Sequence, residues 1–216
     1  PRGRVAAAAV LIIVAGLTKL TSLVFAPACV LAILAERSVD PKRRTQAALA
    51  VGAAIVIAAA AQLGWNQYRF GTPFEFGYDW RETIPAPPAR AFALGELPRG
   101  IAVLLLTPGK SLFVWAPMLV LALLNLRFVW DRHRALAIGL LSALGAGLVV
   151  FGAYLFPEGG YAHGPRHLVP IVPLLALALA GPDTRAHARP AHAACAIVGF
   201  VMGVFPTRVR DLPDLE

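Results

Sequence analysis

The sequence predicts an all-α, polytopic integral membrane protein with about seven hydrophobic membrane segments and polar loops gathered on the outer face. Three observations predict it. Hydrophobic residues make up 58% of the chain and charged residues 15%, where an ordinary soluble domain is about a quarter charged. The apolar residues are concentrated in runs at 5–17, 23–35, 47–63, 112–130, 135–156, 168–181 and 193–205. The Lys and Arg residues behind the net charge of +8 are dispersed in short clusters between those runs, where they orient helices and meet phospholipid headgroups. That distribution argues against a nucleic-acid partner.

Several runs fall short of the roughly 20 residues that a perpendicular span requires, the first pair above all. They are expected to gain flanking residues, to tilt, or to dip in without crossing. Residues 1–216 read as a single transmembrane domain of a multi-pass protein of the cell (cytoplasmic) membrane. The chain starts at Pro1, without Met, and enters an apolar stretch with no cleavage site and soluble body after it. It is therefore expected to be the later part of a longer protein.

Taken in order, runs 5–17 and 23–35 form a helical hairpin with its tight turn at 16–22 on the outer side. Lys19 belongs in that turn, because mid-bilayer burial would cost about 2.5–3.5 kcal/mol on insertion scales. The basic connections 36–44, 131–134 and 182–192 are expected to face the cytoplasm. Alternation then sends loops 65–100 and 157–167 outside. Basic residues occur on both sides, so either the orientation is reversed or some outer cations are retained by function. Residues 65–78 interleave aromatics with polar groups, a pattern suited to the headgroup region. Residues 89–106 read as an interfacial helix returning to the bilayer, broken at 107–111. No internal repeat is visible. Cys29 and Cys195 lie in apolar runs, as small buried hydrophobes rather than a disulfide or metal pair.

Within the loops, candidate ligands stand beside plainer readings. Gly109-Lys110-Ser111 imitates the end of a phosphate-binding loop, but the pattern needs Gly where Leu104 stands; Lys110 reads as a headgroup anchor in preference to a ligand for a substrate phosphate. His163 and His167 are four residues apart near Glu158, yet Gly164-Pro165 between them opposes the helix that would align two metal ligands. Arg166 offers a planar fork of donors matched to phosphate, with Pro165 and Pro170 restraining the chain around it; its alternative is to anchor the following helix. His163, Tyr161 and His167 are placed to hydrogen-bond sugar hydroxyls. Arg69 and Glu75 either line the same outer surface with Tyr78 or pair with each other across the turn at Gly71-Thr72-Pro73, a contact of little energy. Asn66 is expected to cap backbone groups where its helix emerges.

The order Gly16-Leu17-Thr18-Lys19, Trp65-Asn66, Phe70-Gly71-Thr72-Pro73, Gly77-Tyr78, Pro108-Gly109-Lys110-Ser111-Leu112-Phe113, Ala116-Pro117, Gly159-Gly160 and Gly164-Pro165-Arg166-His167-Leu168-Val169-Pro170 resembles bacterial membrane glycosyltransferases of the GT-C class. The relatives it suggests are dolichyl-phosphate-mannose protein mannosyltransferases (glycosyltransferase family 39) and aminoarabinose transferases, over roughly residues 16–174. The resemblance implies a GT-C-like fold and inverting transfer of a sugar from a polyprenyl-phosphate donor to a lipid, glycan or protein acceptor outside the membrane. In that family an acidic residue of the first outer loop serves as catalytic base or metal partner, which leaves a divalent cation open as cofactor. That loop precedes this chain, and none of Glu75, Asp79, Glu82 or Glu158 matches it, so no catalytic residue is assigned. Arg166, Arg69 and Lys19 are the cations available to the lipid phosphate, and helices broken by Pro27, Pro117, Pro170 and Pro173 would leave a groove for an isoprenoid tail. A transporter or flippase would instead want charge at mid-membrane depth and repeated halves; a non-catalytic membrane scaffold is the third reading.

Overall fold

A computed structural model of the chain describes residues 2–74, 92–157, 164–179, 194–195 and 197–198. Among them the protein is all-helical: there is no strand, only one isolated antiparallel bridge between Phe92 and Tyr154. The α-helices are α1 (Arg2–Thr18), α2 (Ala26–Ala35), α3 (Pro41–Phe70), α4 (Leu97–Leu106), α5 (Leu112–Trp115), α6 (Met118–Arg132), α7 (Arg134–Gly152) and α8 (Ile171–Ala176), with short 3-10 turns at Leu20–Val24, Leu94–Glu96 and Leu177–Leu179.

The expectation of about seven membrane segments is not met among the described residues: two helices, α3 and α7, are long and apolar enough to cross a membrane. At 1.5 Å per residue the 30 residues of α3 extend about 45 Å and the 19 of α7 about 28 Å. α1 and the Leu20–Ala35 stretch are apolar but shorter. Run 112–130 fails as one helix because Pro117 follows Ala116, and a residue before proline is pushed out of the helical region; Ala116 sits at φ −135°, ψ 67° and splits the run into α5 and α6. Run 168–181 opens as turns through Pro170, and its described residues go on as the short α8 and the 3-10 turn Leu177–Leu179.

α3 also differs from the expected loop boundary. Its start is set by Asp40, whose side chain accepts from the Arg43 amide at 3.1 Å, and by Pro41 in the first turn. It then runs through Trp65–Phe70, which the aromatic pattern had assigned to a surface loop, and stops at Gly71 with φ +76°, a left-handed cap that suits glycine.

α7 is the centre of the bundle. It packs against α2, α4, α6 and α8, while α1 lies on α3 and α2 touches both α3 and α7. Small residues set these approaches: a Cβ on Gly139 would meet Ala32 of α2, and one on Gly100 of α4 would collide with the carbonyl of Gly152. The core is apolar, with Phe25, Leu104, Leu119, Leu140, Phe151, Leu168 and Ile171 all buried. The opposite face of α3 is bare. Leu49 is 67% exposed, Val56 66% and Ile57 54%, a degree of apolar exposure that suits hydrocarbon better than water. Cys29 is likewise exposed on α2 rather than buried as expected.

Candidate functional site

The break after α1 falls where the sequence placed it, but α1 packs on α3 and does not pair with α2 as the expected hairpin. The Lys19 amide still bonds the Ala15 carbonyl at 3.0 Å, but Lys19 itself is extended (φ −155°, ψ 107°) and its side chain is exposed. Phe25, at the end of the 3-10 turn that follows, packs with Leu168 against Gly147. Its ring centroid lies 6.2 Å from that of Phe151 near the end of α7. The Lys19 turn is thereby fastened to the segment that carries Arg166 and His167.

A second fastening joins the two glycine-containing breaks. The Gly164 amide donates to the Gly109 carbonyl at 3.0 Å, and Trp115 Nε1 donates to the same oxygen at 3.2 Å. Gly164 has φ +76°, and a Cβ there would press on the Trp115 ring. The 107–111 turn is itself rigid: buried Ser111 donates from Oγ to the Leu105 carbonyl at 2.6 Å and accepts from the Phe113 and Val114 amides, capping α5. Lys110, one residue from Gly109, therefore sits beside the chain that leads to Arg166, one residue beyond Pro165.

His167 is the pivot. Its ring stacks on Phe151 (4.9 Å, 11°) and meets Tyr154 edge-on (5.6 Å, 81°), and Tyr154 in turn packs on Phe92 at 5.3 Å. Both ring nitrogens are buried and neither has a hydrogen-bond partner. Burial first, then the positive charges of Lys19, Arg166 and Lys110, push the imidazole pKa down to about 4. At neutral pH the ring is uncharged, with one N–H and one acceptor nitrogen on offer.

Positive charges from three separate segments thus act on one aromatic-framed imidazole. Lys19 and Arg166 are exposed and Lys110 is half-buried. Such an array suits an oxyanion, which charge-assisted donors would hold while a neutral imidazole adds a hydrogen bond.

Of the residues the sequence singled out, Lys19 and Arg166 both act electrostatically on His167. Arg69 does not join them: it lies over the Phe70 ring, 5.0 Å from the centroid, and is not among the charges acting on His167. Tyr161, His163, Glu75 and Tyr78 lie outside the described residues. Asn66 acts as expected: Gln62 donates to its Oδ1 at 3.1 Å, and its Nδ2 donates to the Pro73 carbonyl at 3.2 Å, tying the turn back onto α3. The sequence favours headgroup anchoring for Lys110 over a place in this group, and does not show the aromatic frame of Phe151 and Tyr154. The helix break at Pro108-Gly109 was the signal available for Lys110. No group of three or more His, Cys, Asp or Glu that could hold a metal ion occurs among the described residues. No protein-family model matches the chain, and no significant match is found to a curated protein or to a solved structure.

Proposed function

We propose that this chain is part of a multi-pass membrane glycosyltransferase that moves a sugar from a polyprenyl-phosphate donor to a lipid, glycan or protein acceptor at the outer face of the cell membrane. The observation that carries the reading is a half-buried His167, stacked on Phe151 at the Gly152 end of α7 and kept neutral by burial and by the charges of Lys19, Arg166 and Lys110. As the glycosidic bond breaks, the departing lipid phosphate gains negative charge, and fixed cations lower the energy of that change. Arg166, the exposed guanidinium, takes the phosphate oxygens as a fork, Lys110 and Lys19 supply point charges, and His167 hydrogen-bonds a phosphate oxygen or a sugar hydroxyl. The exposed apolar face of α3 supports a lipid surround, and the prenyl tail would lie along the bundle beneath the cations.

The test is transfer from a polyprenyl-phosphate sugar by the full-length protein in proteoliposomes. Arg166→Ala and Lys110→Ala are each expected to lower donor use at least tenfold with expression and membrane insertion preserved. Unchanged turnover in both variants would remove the cluster from the reaction. The sidedness is checked separately by labelling Lys19→Cys and Arg37→Cys with an impermeant thiol reagent in a background lacking Cys29 and Cys195; the first is expected to react from outside and the second only after permeabilisation.

A further inference from the structure

The other end of α7 carries its own concentration of charge. Gly139 faces Ala32, where a Cβ would come within 2.8 Å of the alanine methyl, so the end of α2 and the start of α7 lie side by side and the 36–40 turn and the 131–134 connection share one end of the bundle. The electrostatic influence of His133 on the Glu36 carboxylate agrees with that placement. Arg37, Lys42, Arg43 and Arg44 sit on or beside one turn and Arg132 and Arg134 on the other, against Glu36, Asp40 and Asp131.

Two of those carboxylates are already occupied. Glu36 Oε1 accepts from the Ser38 amide at 3.1 Å and from its hydroxyl at 2.7 Å, and Asp40 Oδ1 accepts from the Arg43 amide. Arg44 is left with one bond, Nη1 to the Glu36 carbonyl at 3.3 Å, while its Nε is buried without a partner. A guanidinium presents five donors in a fixed fork, and a buried donor left unmade is unfavourable. Arg134 lies over the Trp130 ring at 4.9 Å, a pairing of cation and amphipathic ring suited to headgroup depth.

We infer that these two turns form a headgroup site for an anionic phospholipid, with Arg44 taking the phosphodiester and the Trp130–Arg134 pair bordering it. The excess of cations selects lipids of net negative charge over zwitterionic ones, which carry the same phosphodiester beside a compensating ammonium. The Arg44 fork matches two oxygens of one phosphate. The site rests on the membrane-spanning reading of α3 and α7, and is independent of sugar transfer at the opposite end.

The full-length protein is reconstituted in nanodiscs of phosphatidylcholine with or without phosphatidylglycerol, and lipid retained after detergent extraction is counted by native mass spectrometry. The wild type is expected to retain phosphatidylglycerol over phosphatidylcholine. Arg44→Gln is expected to lose at least fivefold of that preference, Arg44→Lys part of it, and Arg69→Gln none. Equal retention by wild type and Arg44→Gln overturns the site. If soluble glycerol phosphate displaces the retained lipid at equal concentration, the site is one for a free phosphoester and the lipid assignment is overturned. Should Arg44→Gln not fold, Arg134→Gln decides: unchanged preference in that variant overturns the proposal. Loss of lipid selectivity with transferase activity intact separates this site from the cation cluster around His167.

Discussion

The amide of Gly164 and the carbonyl of Gly109 are 3.0 Å apart, and that one backbone bond joins two helix breaks separated by the whole of α5, α6 and α7. It brings Lys110 alongside Arg166, a neighbourhood that neither stretch of sequence announces by itself.

Gly164 is expected to tolerate no side chain. At φ +76° an L-residue is strained by about 1–2 kcal/mol, and its Cβ would sit 3.2 Å from Trp115 Cγ. Gly164→Ala should therefore lower the thermal midpoint by about 2–8 °C. Gly109→Ala, where nothing lies within 4 Å of the added carbon, should stay within about 0.5 kcal/mol of wild type. Equal midpoints for the two variants would show that the turn does not depend on the Gly164 conformation.

His167 makes stability depend on acidity. Its pKa is about 4 in the folded chain against an ordinary 6.5, so the unfolded chain binds the proton first. The stability contribution is whole above pH 6.5 and is lost as the pH falls toward 4. The full shift corresponds to roughly 3 kcal/mol, and screening at a half-buried ring reduces it to about 1–2 kcal/mol. His167→Phe keeps the stack on Phe151 and removes the titration. Thermal midpoints read across that window should fall in the wild type and be flatter in the variant; parallel curves would assign the dependence to other groups.

The crossing of α4 and α7 is set by bare backbone. A methyl group on Gly100 would overlap the Gly152 carbonyl, which no rotamer change relieves, so Gly100→Ala should cost about 3 kcal/mol. Gly52→Ala, in the open middle of α3, should instead stabilise by about 1 kcal/mol through helix propensity. Denaturation in one detergent ranks the pair, and a harmless Gly100→Ala would mean that the helices stand further apart.

Asn66 is buried and bonded on both sides, to Gln62 and to the Pro73 carbonyl. Asn66→Ala should cost about 1–3 kcal/mol because the Gln62 amide and the Pro73 oxygen lose their partner. Residues 71–74 should then become cleavable by a protease that spares the wild type. Full resistance in the variant would show that Gly71 alone holds the turn.

Much of this arrangement was legible in the chain. The helical class followed from apolar runs punctuated by Gly and Pro, the Lys19 turn from the expense of a buried ammonium, and the Asn66 cap from its place near a helix end. What was not legible has definite causes. Trp65–Phe70 have the composition of an interface, yet they continue α3 because Gly71, not the aromatics, ends the helix. Pro117 divides a run that hydrophobicity alone reads as continuous. Lys110 reached the cluster through a tertiary bond, Gly164 to Gly109, which leaves no periodic trace. Arg69 looked equivalent to Arg166 in charge and setting, but its neighbour Phe70 holds it.

The bare face of α3 has a practical meaning beyond topology. With Leu49, Val56 and Ile57 more than half uncovered by protein, the membrane-spanning reading of α3 makes the surrounding amphiphile the completion of that helix's packing, as a second subunit would complete a dimer. On that reading stability is a joint property of polypeptide and amphiphile, and variants are ranked with the amphiphile held constant.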